Sequence, residues 1–149
     1  MVPIGYVDGG RVEATKDNWG DSRAAINLRS DMFGPEALFG LEELSHIEVV
    51  FHFHAHADEP IETGARHPRG RADWPHVGIF AQRGRMRVNR IGISVCRVVG
   101  IDGLRVEVEG LDAIHGTPVL DIKPVWSGYD PRGERREPEW VGEIMAQYW

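Results

Sequence analysis

The stretch "LRVEVEG", residues 104–110, alternates apolar and charged side chains without interruption. Successive side chains of an extended strand point to opposite faces, so the leucine and the valines share one face while the arginine and the glutamates share the other. This pattern is typical of a strand that lies with one face on a core and the other in solvent.

The same alternation recurs in "HIEVVFHFHAHA", residues 46–57. Further strand candidates are bounded by Gly, Pro, Asp or Asn, which favour turns; they read "PIGYV", "AAINLRS", "VGIFAQ", "IGISVCRVVG" and "PVLDIKPV". About seven short strands in a chain with 18 glycines predict an all-β protein, a single-sheet closed β-barrel of about seven strands. "GPEALFGLEEL" predicts a short helix or turn. "EPEWVGEIMAQYW" spaces Trp140, Ile144 and Tyr148 four apart, which predicts a short C-terminal amphipathic helix on the barrel or on a partner subunit.

A chain of 149 residues fits one domain, residues 1–149, that can bury a core without disulfides. The single cysteine, Cys96, lies in an apolar run, which favours a buried and unreactive thiol. No apolar run approaches a membrane span, and the first residues lack the pattern of a signal peptide. We therefore expect a cytoplasmic protein without a membrane partner.

The charge of the chain is unevenly distributed. The net charge is -6, yet residues 66–90 hold seven arginines against Asp73 as the one acidic residue. Arginine presents a planar fork of donors that matches phosphate and carboxylate groups, whereas lysine offers a point charge. The segment, called the arginine window below, is either a solvated loop or an anion-binding site.

The most conspicuous local pattern is "FHFHAH", residues 51–56. On a strand, His52, His54 and His56 would share a face, and two such imidazoles can hold zinc or iron. A metal-dependent barrel enzyme is thus one hypothesis. Because the other histidines show no clear metal spacing, we favour histidines on a polar face and predict no metal site.

A second pattern is "GLDAIHGTPVLDIKPVW", residues 110–126. Gly116, Thr117 and Pro118 predict a turn, and an outward-facing backbone amide and Thr117 hydroxyl there could hydrogen-bond the edge of an adenine ring. An ordinary hairpin turn is the alternative. No Rossmann, Walker or nucleophile-elbow motif occurs in the chain.

Two long segments, "HPRGRADWPHVGIFAQRGRMRVNRIGISVCRV" (67–98) and "VEGLDAIHGTPVLDIKPV" (108–125), resemble the TsaA-like (YaeB/TrmO-type) family of S-adenosylmethionine-dependent tRNA methyltransferases. The resemblance implies a β-barrel that binds S-adenosylmethionine without a Rossmann fold and works as a homodimer. It also implies methyl transfer to the amino nitrogen of the threonylcarbamoyl-modified adenosine beside the tRNA anticodon.

The resemblance implies these cofactor contacts: Asn18, Trp19, Gly20, Ala55, His56, Arg83, Ile93, Thr117, Pro118, Val119 and Leu120. Methylation of a nitrogen requires loss of a proton, for which we expect a carboxylate or a neutral histidine near the methyl group. Asp121 is the first candidate and His54 the second. The candidates for a surface that faces the phosphates of tRNA are Arg66, Arg69, Arg71, Arg85, Arg87 and Arg90.

The sequence departs from the family pattern at several positions. The family's Arg-Pro-Asn-Pro motif reads Arg-Val-Asn-Arg at residues 87–90, so that Arg90 replaces the second proline. His115 stands where the family has an aspartate. Longer members carry a C-terminal domain, which we expect this short form to lack. A methyltransferase of a small molecule and a non-catalytic S-adenosylmethionine sensor therefore remain open beside the tRNA enzyme.

Overall fold

A computed structural model describes all residues, 1–149. Its strands are β1 (Gly5–Asp8), β2 (Arg23–Leu28), β3 (His46–His52), β4 (Ala65–Arg66), β5 (Val77–Gly78), β6 (Ile91–Asp102), β7 (Arg105–Glu109) and β8 (Pro118–Pro124), and its one α-helix is α1 (Glu139–Met145). Six strands close an antiparallel barrel in the order β1-β2-β7-β6-β3-β8, and β4 pairs with β5 in a separate ribbon. No helix combines the length and the apolar composition needed to cross a membrane.

The all-β closed barrel and the short C-terminal helix are confirmed, with six strands in the barrel rather than about seven. The difference comes from "VGIFAQ", whose prediction as a barrel strand is wrong. Only Val77 and Gly78 pair, and Ile79–Ala81 form a 3-10 turn that buries Ile79. The predicted short helix at residues 34–44 is present as two 3-10 turns, Pro35–Leu38 and Leu41–Glu43.

The core lies inside the barrel and follows the alternation of the sequence. Val106 and Val108 of β7 are fully buried, and Cys96 and Ile47 on β6 and β3 lie in the same cluster. The buried Cys96 is confirmed, and burial raises the pKa of its thiol to about 12.

Gly92, in the segment 67–98, occupies a position where only a glycine fits. It faces the barrel interior opposite Phe51, and a Cβ atom at this position would overlap the Phe51 ring. The ring is 1 % exposed and packs edge to face on Phe53, with 5.2 Å between the ring centroids. The glycine therefore lets the largest core side chain close the barrel.

Consecutive connections of an antiparallel barrel leave from alternate ends. Residues 9–22, 53–90 and 110–117 therefore lie at one end, called the loop end here, while residues 29–45 and the 103–104 hairpin lie at the other. The two sequence motifs supply the second and third of the loop-end connections. This end of the barrel is where a functional site is expected.

Candidate functional site

The predicted cofactor residues are distributed over the three loop-end connections. Asn18–Gly20 lie in the first, Ala55, His56 and Arg83 in the second, and Thr117 in the third. Because β7 and β8 are not neighbours, residues 110–117 cross the mouth of the barrel, where Leu111 is fully buried and closes it. The topology thus gathers segments that are far apart in sequence.

The barrel wall opens between β6 and β7 at this end. Strand β6 has 12 residues but pairs with β7 only from Arg97 onward. Along its first half one edge has no neighbouring strand, and Arg83 caps that edge by donating from Nη2 to the carbonyl oxygen of Ile93 at 3.0 Å. This is the one hydrogen bond of the exposed Arg83 side chain, so its other N–H groups are free to meet an anion.

A polar network fills the inner side of the same opening. Ser94, which is 3 % exposed, and Tyr148 each donate a hydroxyl group to one carboxylate oxygen of Asp112. Burial, followed by the nearby charge of Asp112, raises the pKa of the Tyr148 phenol above its ordinary value, so the phenol remains a donor. The network fixes Asp112 across the barrel mouth.

The C-terminal tail after α1 packs against the first connection. The amide of Asn18 donates to the carbonyl of Gln147 at 2.8 Å, and that of Trp19 donates to the carbonyl of Tyr148 at 2.7 Å. A Cβ atom on Gly20 would lie 2.7 Å from the Trp149 carbonyl carbon, so only glycine permits this approach. Trp19 is 3 % exposed, whereas Asn18 is exposed and is the most accessible residue of the segment.

The turn before β8 has a different orientation from the one predicted. The amide of Thr117 donates to the carbonyl of Ile114 at 3.2 Å, and its carbonyl accepts from the Val7 amide at 2.9 Å. Thr117 is also 3 % exposed, so the outward-facing amide and hydroxyl predicted for an adenine edge are wrong. The chain has to turn inward here because residues 110–117 must return from the barrel mouth to β8. Val119 is fully buried, while Pro118 and Leu120 are half-buried.

The three histidines of "FHFHAH" do not share a strand face. Strand β3 ends at His52, and His54–His56 form a 3-10 turn, because the partner strand β6 begins at Ile91, directly opposite His52. The His56 ring lies 2.9 Å from a Glu59 carboxylate oxygen. No group of three or more His, Cys, Asp or Glu side chains is placed to hold a metal ion. The premise of the metalloenzyme hypothesis is therefore wrong.

His54 lies beside the turn at Gly116. Its Nε2 atom is 3.9 Å from the position that a Gly116 Cβ would take. Burial, then the charges of His52 and His56, lower the pKa of this imidazole, so its neutral form is favoured at neutral pH.

Asp121 lies elsewhere, on the outer wall of the barrel. It stands opposite Val50 in the pairing of β8 with β3, and a carboxylate oxygen lies 2.7 Å from Nζ of Lys123. Its second oxygen accepts the Ile122 amide at 2.9 Å. Asp121 is thus occupied by partners on its own strand.

The arginine window is engaged with other protein groups. Three of its members pair with carboxylates: Arg69 with Asp17 at 2.7 and 3.0 Å, Arg85 with Glu59 at 2.9 and 3.0 Å, and Arg71 with Asp73. The Arg71 guanidinium also lies 4.0 Å from the centroid of the Trp74 ring.

The remaining predicted phosphate ligands hold the long connection together. Arg90 donates to the carbonyl groups of residues 56, 57 and 59 at 3.0, 2.9 and 2.5 Å. Arg87 donates to those of residues 79 and 82 at 3.2 and 2.7 Å, and Arg66 contacts the Met86 sulfur at 2.9 Å. The role of these side chains toward phosphate stays a prediction, and the structure shows a loop-building role for them.

Two concavities are lined by other residues. One, of about 230 Å³, lies beside Gly10 and Arg105, and the other, of about 310 Å³, lies beside Leu38 and Phe39. Neither includes a predicted cofactor residue. The opening between β6 and β7 therefore remains the candidate site, since it combines a partly free guanidinium, a fixed carboxylate and the exposed apolar side chain of Ile93.

Sequence reasoning missed Ser94, Asp112 and Tyr148 as a group. The spacing of Tyr148 with Trp140 and Ile144 placed Tyr148 on a helix. It lies instead in the tail beyond Met145, where α1 ends. Three hydroxyl or carboxyl groups from three separate segments leave no signal in any one of them.

Fold and site together define a small β-barrel domain without a nucleotide-binding α/β sheet. Its candidate ligand site lies at the end of the barrel where the two sequence motifs meet. Residues 15–131 match the family model of the tRNA-methyltransferase O N-terminal domain. The chain belongs to this family.

Named relatives agree with this assignment. The chain is 36% identical over 119 residues to the human tRNA (adenine(37)-N6)-methyltransferase, which covers 78% of the chain and 26% of that protein. The corresponding figures for the Escherichia coli protein of the same name are 36% identity, 60% of the chain and 39% of the relative. A Pseudomonas aeruginosa relative, RcsF, whose name describes an S-adenosylmethionine-dependent methyltransferase, is 39% identical over 69% of the chain and 44% of its own length.

The solved structures show the same fold. A crystal structure of TrmO from Pseudomonas aeruginosa superposes with a TM-score of 0.73 at 32% identity, covering 91% of this chain and 60% of that one. The chain thus spans about a quarter of the human relative and less than two thirds of the solved one.

Proposed function

We propose that this chain is an S-adenosylmethionine-dependent methyltransferase that acts on N6 of adenine 37 in tRNA. The observation that carries the proposal is the 36% identity, over 78% of the chain, to a human protein named for that reaction. The placement of both family motifs at the loop end supports it, because a site assembled there would use the segments that the relatives share.

The residues at the opening suit S-adenosylmethionine, which has a carboxylate, a cationic sulfonium and an adenine ring. Arg83 has N–H groups to spare for the carboxylate. The carboxylate of Asp112 provides negative charge in a half-buried position, and Ile93, which is 41% exposed, offers an apolar surface for a ring. When bound, the cofactor supplies an activated methyl group on its sulfonium sulfur.

An amino nitrogen that gains a methyl group has to release a proton, and this chain offers two acceptors. We assign the role to His54 rather than Asp121, since the lowered pKa of His54 keeps its imidazole neutral beside Gly116. Asp121 faces outward and is bound by Lys123.

Binding of the cofactor is tested by calorimetry with S-adenosylmethionine. We expect the Arg83→Ala variant to bind about tenfold more weakly or worse, because a charge-assisted hydrogen bond is lost. Arg83→Lys should recover part of the affinity. Arg29→Ala, at the other end of the barrel and paired with Asp31, is the matched control. An unmodified chain that shows no binding at millimolar cofactor would overturn the proposal.

Methyl transfer to tRNA is tested by mass spectrometry of nucleosides from tRNA incubated with the protein and S-adenosylmethionine. A methyl group on adenine 37 is expected. Methylation that appears only on nucleosides or other small molecules would replace the tRNA assignment by the small-molecule one, and tight cofactor binding without any transfer would favour a sensor.

The proton-acceptor assignment predicts a pH profile. His54 works in its neutral form and its pKa is lowered from 6.5, so the turnover number should fall on the acid side only as the pH drops below about 6.5. His54→Asn should reduce turnover by a factor of about 10²–10⁴ and remove this acid limb. Asp121→Asn should leave both intact; the opposite result would reverse the assignment.

We also propose that the chain forms a homodimer. Ile93, Val95 and Val99 stand on the outer face of β6 and are 41%, 51% and 39% exposed, with Arg97 between the two valines. Sedimentation analysis should show a dimer that Val95→Glu weakens, and a monomer at all concentrations would contradict the proposal.

A further inference from the structure

The chain contains 15 arginines, and the structure divides them into two groups. Twelve donate to a carboxylate, a carbonyl, a hydroxyl or a sulfur atom of the protein. Arg132, Arg135 and Arg136 make no side-chain hydrogen bond or ion pair, and all three are exposed. These unpaired guanidinium groups lie within five consecutive residues and outside the predicted arginine window.

An exposed aromatic pair precedes these arginines. Trp126 and Tyr129 are 54% and 83% exposed, and their ring centroids are 5.9 Å apart. The 3-10 turn Ser127–Tyr129 holds the pair, with the Tyr129 amide donating to the Trp126 carbonyl at 2.9 Å. Two large rings in water on a rigid turn are unusual on a surface without a binding role.

Residues 126–137 form an arm between the two ends of the barrel. The arm starts at the end of β8 that lies away from the loop end, and it leads to α1, where Glu143 accepts the Trp74 indole N–H at 2.8 Å. Residues 131–137 make no backbone hydrogen bond to the rest of the chain. The seven residues of β8 span about 23 Å, so the arm carries its arginines along the barrel wall toward the loop end.

We propose that this arm binds a single-stranded segment of the RNA substrate, with Trp126 and Tyr129 stacking on bases and Arg132, Arg135 and Arg136 meeting phosphates. The inference rests on the proposed function, to which it adds the surface and the form of the RNA. Single-stranded nucleic acid is recognised by exposed aromatic rings beside unpaired cations, whereas a duplex offers no free base face. The arm has both elements, whereas every arginine of the window already donates to a protein group.

Acidic residues moderate the charge of the arm. Asp130, Glu134 and Glu137 lie among the three arginines, so residues 126–137 have no net charge. Stacking should therefore contribute as much to binding as phosphate contacts do. Removing the glutamates should tighten binding, a gain of function that damage to the fold would not produce.

The experiment measures fluorescence anisotropy of a labelled RNA hairpin that copies a tRNA anticodon stem and loop, titrated with the full chain over a range of salt concentrations. A labelled RNA duplex without a loop is the second probe. We expect the Arg132→Ala, Arg135→Ala, Arg136→Ala variant to weaken hairpin binding about tenfold or more at low salt. The slope of log affinity against log salt should become shallower by about 2, because three single-strand phosphate contacts are lost.

Matched variants separate the arm from its alternatives. Trp126→Ala should weaken hairpin binding about tenfold while Trp126→Phe retains most of the affinity, and Glu134→Gln with Glu137→Gln should tighten it. The triple variant Arg69→Ala, Arg71→Ala, Arg85→Ala removes the same charge from the window and should change the salt slope by less than half as much.

Three results would overturn the inference: no hairpin binding by the unmodified chain, arm variants that bind like it, or equal binding of hairpin and duplex. Calorimetry with S-adenosylmethionine on the same variants keeps the two proposals apart. If the chain binds the cofactor but its RNA binding does not depend on the arm, only the RNA-binding role of the arm is contradicted. If the chain does not bind the cofactor, the proposed function is contradicted whatever the anisotropy shows.

Discussion

The arginine window and the arm are both rich in arginine, but they use it in opposite ways. In the window, residues 66–90, the guanidinium groups donate to carboxylates and backbone carbonyls, most of them in the same connection. The arm, residues 126–137, leaves all three of its guanidinium groups in water. The difference follows from length: residues 53–90 form a long connection with few ladder bonds, so its carbonyl groups need donors from side chains. Clustered charge in a sequence therefore locates cations without saying whether they are free.

The largest effect on this comparison should come from Arg90. Arg90→Ala removes donors from three carbonyl groups in a partly buried place, so we expect the free energy of unfolding to fall by about 2–3 kcal/mol. Arg90→Lys keeps the charge but lacks the planar fork and should lose most of the same stability. Urea unfolding followed by circular dichroism measures both.

Arg135→Ala is the matched variant from the arm, and its free energy of unfolding should stay within about 0.5 kcal/mol of the original. Equal losses for Arg90→Ala and Arg135→Ala would show that the division between engaged and free arginines is false.

The barrel itself was largely predictable because its strands obey local rules. The alternation along β7 places Val106 and Val108 on the inner face, whichever strands pair with β7. Strand ends were less predictable. "FHFHAH" alternates beyond His52, but the partner strand begins opposite that residue, so the ladder stops for a reason located 39 residues away in the chain. "VGIFAQ" fails similarly, since its partner β4 has only two residues.

Only those residues of the candidate site that lie in a recognisable sequence motif could be predicted. Arg83 and Thr117 lie in recognisable segments, and both come to the loop end. The orientation of Thr117 could not be read from "HGTP", because it depends on how residues 110–117 cross the barrel mouth. The hydrogen bond between Tyr148 and Asp112 joins residues 36 positions apart, and only the structure shows that the tail belongs to the site.

A smaller effect should come from Tyr148, which joins the chain beyond the arm to the loop end. Tyr148→Phe leaves the ring but removes a hydroxyl that donates to a carboxylate, so the free energy of unfolding should fall by about 1–2 kcal/mol. Amide exchange of Asn18 and Trp19 should accelerate, because their partners lie in the same tail. An unchanged exchange rate would show that the tail is anchored elsewhere.

The smallest effect should come from Arg85, a window member whose ion pair lies largely in solvent. Its side chain is 42% exposed and its partner Glu59 is 32% exposed, so water and salt screen the pair and Arg85→Ala should cost at most about 0.5 kcal/mol.

The stability that the Arg85–Glu59 pair contributes depends on pH. The hydrogen bond from Arg85, then its charge, lowers the pKa of Glu59 from 4.5, so the unfolded chain binds the proton more readily and the pair stabilises the fold above about pH 4.5. That contribution disappears as the pH falls through the lowered pKa. The stability difference between the original chain and Arg85→Ala should therefore shrink both in acid and in high salt. A difference that survives both conditions would mean that contacts other than the charge pair with Glu59 hold Arg85 in place.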